Sequence, residues 1–85
     1  FVLHQNYPNP FNPATTIEYR LGVPGSVTLD VIDLTGRRIE TLVDRMQPPG
    51  QYSVQFDAAG LPSGTYLYQL RVGTQVASRR MVLLR

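Results

Sequence analysis

The feature that most constrains this chain is an alternation of apolar and polar residues with period two, recurring in short runs that proline, glycine or asparagine cut off. Successive side chains of a strand point to opposite faces, so such a run buries one face and wets the other. A helix would instead need apolar residues every three to four positions. Ile17, Tyr19 and Leu21 alternate with Thr16, Glu18 and Arg20, and Val27, Leu29 and Val31 alternate with Thr28 and Asp30. Further strands are predicted over 37–43, over 51–57 with Tyr52, Val54 and Phe56 inward, over 65–72 with Tyr66, Tyr68 and Leu70 inward, and over 75–84. Residues 1–5 offer a seventh. No window longer than one turn holds a helical period, so the chain reads as all-β.

The punctuation between the runs has its own chemistry. Val23-Pro24-Gly25-Ser26 suits a type II turn, with Gly25 at positive φ. In Asp33-Leu34-Thr35-Gly36-Arg37 the aspartate can cap the turn and Gly36 can take the left-handed position of a bulged hairpin, where a valine would damage folding. Residues 44–50, with Pro48, Pro49 and Gly50, read as a loop, and residues 57–64, ending at Gly64, as a long turn. Gly73-Thr74 matches a two-residue type II′ hairpin, so the last two strands should pair antiparallel. Turn signals this frequent predict a small antiparallel sandwich of about six to seven strands.

Eighty-five residues, 42% of them apolar, provide one core and not two. The expected division is a Pro/Asn-rich lead-in at 1–14 and a sandwich at 15–85. Phe1 is neither an initiator methionine nor the start of a signal peptide, so the chain is expected to be a piece of a longer polypeptide, ending at its C-terminus. Apolar runs are far shorter than the roughly twenty residues of a membrane-spanning helix, and the strands are too few for an eight-stranded membrane barrel. No membrane insertion is expected. The chain has no cysteine, which leaves its redox compartment open.

Net charge is +2, unevenly placed: residues 58–85 carry four arginines and no acid. Nucleic-acid binders show denser basic clusters with interleaved aromatics, so no nucleic-acid partner is expected. His4 is the only histidine and the acids are scattered over strands and turns, which argues against a transition-metal site, a cofactor or a catalytic set. Neither Asp33 nor Asp57 sits in the alternating ligand pattern of a calcium loop. Tyr66 and Tyr68 could form a sugar platform, but their shared face with Leu70 reads first as core.

Two segments stand out. Tyr7-Pro8-Asn9-Pro10-Phe11-Asn12-Pro13 can be neither helix nor central strand, and reads as a stiff strap with Tyr7 and Phe11 available to pin it; covering a sheet edge outweighs docking to a partner. Met81-Val82-Leu83-Leu84 is apolar on both faces, bracketed by Arg80 and Arg85. Either it is an edge protected by charge, or a partner reads it by edge pairing. Reversing the charge of Arg80 and Arg85 is expected to spare folding.

Leu3 to Pro13, Thr15-Thr16-Ile17, Asp33 to Arg37, Gly50-Gln51-Tyr52, Leu61 to Tyr66 and Arg80 to Arg85, in that order, resemble the type A C-terminal sorting domain of the bacterial type IX secretion system. The resemblance implies an immunoglobulin-like sandwich at the end of an exported cargo. That cargo would cross the periplasm, pass the outer-membrane translocon, lose the domain to a sortase-like cysteine peptidase, and reach the surface or medium. It also implies that translocon recognition falls on Arg80, Met81, Val82, Leu83, Leu84 and Arg85, with arginine where the family usually carries lysine, and structural turns on Gly36, Gly50 and Gly64. The competing readings are a structural or adhesive immunoglobulin-like module, similar to a domain of flagellar hook-capping proteins, and a carbohydrate-binding accessory module.

Overall fold

The alternating runs form seven strands in the computed structural model, which describes residues 1–85. They are β1 (Val2–Leu3), β2 (Ala14–Leu21), β3 (Gly25–Ile32), β4 (Arg38–Gln47), β5 (Gly50–Asp57), β6 (Gly64–Val72) and β7 (Gln75–Leu83). Two antiparallel sheets result, ordered β1-β2-β5 and β4-β3-β6-β7. The inward faces of β2, β3, β6 and β7 meet in one core of 16 buried residues, in which Ile17, Val27, Leu29, Tyr68, Leu70, Met81 and Leu83 are closed to solvent. Lettered A to G, the sheets read A-B-E and D-C-F-G. A constant-type immunoglobulin domain pairs its fourth strand with its fifth, so the likeness lies in the facing sheets and is loose.

Gly36 and Gly73 have φ of 90° and 60°, as their turns require, and Val72 pairs with Gln75 across the Gly73-Thr74 link. Elsewhere the structure departs from the sequence reading. Residues 44–47 are not loop: β4 continues to Gln47, pairing with β3 as far back as Gly25, and only Pro48 and Pro49, which cannot extend the ladder, remain as the link. Gly25 is not at positive φ; it opens β3, where a Cβ would stand 2.9 Å from Val72 Cγ1. That glycine serves close packing and not a type II turn. Tyr52 and Val54 are only half-buried, because β5 is an edge strand. The other exposed edge, β4, is irregular: its ladder with β3 skips Leu42 and Ile39, and such bulges discourage further pairing.

Candidate recognition surface

Pairing with β6 fixes the direction of each terminal side chain. Met81 lies opposite Tyr66 and is buried with Leu83, whereas Arg80 and Val82, opposite Leu67 and Thr65, stand on the outward face. Val82 is half-buried and Leu84 is 54% exposed. Two of the four apolar residues thus lack cover from the core, as the alternation predicts.

The free edge of β7 should present unpaired N–H and C=O groups. Gln5, Asn9 and Phe11 take those of Arg80, Val82 and the following Leu84. Gln5 Nε2 donates to the Arg80 carbonyl (2.7 Å), and Asn9 Oδ1 accepts from the Val82 N–H (2.9 Å). Phe11 donates its N–H to the Val82 carbonyl (2.9 Å) and accepts from the Leu84 N–H (3.0 Å). Edge pairing by a partner strand at these positions is therefore closed in the folded domain.

Of the two expected pins, only Phe11 is one: it is 2% exposed and meets Phe56 edge-to-face at 6.2 Å between ring centroids. Tyr7 is 80% exposed, because its backbone pairs with Thr16 of β2 and turns the ring outward. The peptide bonds before Pro8, Pro10 and Pro13 are cis. Polar residues that the sequence reading passed over hold the segment. Asn6 is buried, and its Nδ2 donates to Thr15 Oγ1 (2.9 Å) and the Pro8 carbonyl (3.2 Å). Its N–H donates to the Tyr68 hydroxyl (2.8 Å), which donates in turn to the His4 carbonyl (2.6 Å). Burial, opposed by the Asn6 bond, pushes the Tyr68 phenol above its ordinary value and keeps that donor protonated. The signal was present: an asparagine and a threonine flank a stretch whose prolines cannot form a ladder, and its remaining backbone groups need other partners.

The two bracketing arginines differ. Arg80 makes no side-chain hydrogen bond or ion pair. Arg85 clasps the 58–63 loop: Nε donates to the Leu61 carbonyl (2.7 Å), Nη2 to the Ala58 carbonyl (2.8 Å), and its N–H to Ser63 Oγ (3.0 Å). The expectation that charge reversal spares the fold applies to Arg80 and not to Arg85. Near this loop a cleft of about 360 Å³ is lined by Arg37, Arg38, Ile39, Leu61, Pro62 and Tyr66. Tyr66 and Tyr68 are buried, which removes the sugar-platform reading.

At the 33–37 turn, Asp33 Oδ1 accepts from the Thr35 hydroxyl (2.6 Å), the Thr35 N–H (2.9 Å) and the Arg37 N–H (3.0 Å), while Arg37 Nε pairs with Oδ2 at 3.2 Å. The Thr35 hydroxyl bond, followed by the Arg37 N–H, holds the carboxyl below its ordinary value. A depressed carboxyl contributes stability that is complete above the unfolded-state value and lost as pH falls through the folded one. In an NMR titration Asp33 should therefore protonate later than a free aspartate on acidification, and the stability gap between wild type and Asp33→Ala should close over that acid window. A carboxyl titrating at or above the ordinary value would contradict these bonds.

The domain is thus a small sandwich whose lead-in is bonded along the end of β7, with Arg80 and Val82 on the outward face of that strand and Leu84 exposed just beyond it. Residues 5–84 match the family described as secretion system C-terminal sorting domain. The chain belongs to that family, and it is a C-terminal sorting signal of type IX secretion. No curated protein and no solved structure matches it. Membership implies a parent cargo chain, secreted or displayed at the cell surface, and interaction with the type IX machinery.

Proposed function

We propose that this domain delivers its parent cargo to the type IX outer-membrane translocon after periplasmic transit, acts as substrate and never as enzyme, and is removed by a sortase-like cysteine peptidase. The family match over residues 5–84 carries this reading. The outward residues of the terminal strand, Arg80, Val82 and Leu84, are the part available to be read, while Met81, Leu83 and Arg85 hold that strand in place. Val82 and Leu84 offer limited apolar area, which suits transient engagement more than tight binding.

The test fuses residues 1–85 to the C-terminus of a periplasm-targeted fluorescent reporter in a type IX host, beside the reporter alone. The fusion should reach the surface or medium with the domain clipped off, and the reporter alone should stay periplasmic. A folded fusion retained in the periplasm would overturn the proposal in favour of a structural or adhesive module.

A further inference from the structure

The outward face of the four-stranded sheet carries an apolar strip that the core does not explain. Register sets Arg38, Ile32, Leu67 and Arg80 side by side across β4, β3, β6 and β7, with Thr65 and Val82 paired in the next row. Ile32, Leu67 and Val82 are half-buried, yet none belongs to the buried core or to the partly buried side chains packed against it. An antiparallel sheet with one face in water ordinarily reads polar on that face, and a contiguous apolar patch there marks an interaction site. Neighbouring strands lie about 4.8 Å apart, so the arginine Cα atoms bracket the strip across roughly 14 Å.

Charge selects the occupant. Arg80 has no ion-pair partner, and Arg38, whose side chain is 68% exposed, meets only Asp30 at 3.7 Å. Residues 58–85, which build β6 and β7, contain no acid to offset their four arginines. A second copy of this face would set arginine against arginine, which disfavours self-association through it. The complementary surface has an apolar centre between carboxylates.

We propose that the type IX machinery reads the domain through this composite face, and that the partner is a protein presenting an apolar patch rimmed by acidic side chains. The proposal rests on the sorting reading above and deepens it. Recognition then depends on Ile32 and Leu67, remote in sequence from the terminus, because the sheet brings them beside Arg80 and Val82. A linear C-terminal signal would ignore both.

The reporter fusion tests this with Ile32→Thr/Leu67→Thr, which places β-branched threonine, favoured in strands, at both positions, and with Arg38→Gln/Arg80→Gln, which changes only exposed side chains. Glu18→Gln, on the other sheet, is the control. Each purified domain is also melted by circular dichroism and sedimented at physiological salt with vesicles of phosphatidylcholine and phosphatidylglycerol. The expected result is export of wild type and control, a roughly tenfold loss of export in folded double variants, as for loss of a central contact, and no sedimentation. Should the threonine pair fail to fold, the glutamine pair decides alone. Normal export of the folded variants overturns the composite face and leaves the sorting reading intact. A wild-type fusion held in the periplasm overturns both. Vesicle binding by wild type that the variants lose assigns the face to a lipid surface and overturns the protein partner.

Discussion

Replacing Phe11 with alanine is expected to destabilise the domain by about 3–5 kcal/mol. That is a large share of the roughly 5–15 kcal/mol that holds a typical domain folded. The ring is nearly closed to solvent and packs edge-to-face on Phe56, while its own N–H and C=O bond to Val82 and Leu84 at the edge of β7. Losing it removes buried apolar area and loosens the hydrogen bonds that close that edge. Freed strand edges recruit other chains, so the variant should also aggregate on warming. Tyr7→Ala, at a residue 80% exposed, should change stability by less than about 0.5 kcal/mol. Urea unfolding of the two variants beside wild type decides the matter. Similar midpoints for both would mean that the strap is not pinned at Phe11.

The same pair of aromatics shows where the sequence was legible and where it was not. Alternation identified the inward residues of β2, β3 and β6, because a sheet with one wet face imposes a period that composition cannot imitate. Within the strap that period is missing. Tyr7 and Phe11 look alike as anchors until the backbone pairing of Tyr7 with Thr16 turns one ring out. The end of β4 was hidden for a related reason: Asp44, Arg45 and Met46 lie on an exposed edge, where no buried face forces a pattern, and Gln47 is buried because it accepts from the Tyr19 hydroxyl at 2.6 Å. Gly25 carried a turn signature beside Pro24, but its constraint is tertiary, set by Val72 on a strand some forty-five residues away. In the proposed recognition surface, the split of the terminal run into buried Met81 and Leu83 and less-buried Val82 and Leu84 was legible from its alternation. The position of Ile32 and Leu67 beside Arg80 was not, since only register brings them there.

Deleting Arg80 to Arg85 should unfold the domain outright. Met81 and Leu83 are fully buried, and truncating buried side chains of this size costs about 2–5 kcal/mol each. The deletion also removes every acceptor and donor that Phe11 uses on β7, and the Arg85 clasp on the Ala58 and Leu61 carbonyls. Together these losses match or exceed the roughly 5–15 kcal/mol that holds a typical domain folded. Far-ultraviolet circular dichroism of the truncated chain should therefore show no sheet signal and no cooperative melt. A truncated chain that melts like wild type would mean that β7 is dispensable to the core, and the terminal residues could then be treated as a detachable peptide. The unfolded outcome carries a consequence for secretion. A truncated cargo that stays in the periplasm would report loss of structure as readily as loss of a signal. Only variants at side chains that stand outward without holding the strand, Arg80 foremost among them, separate being read from being folded.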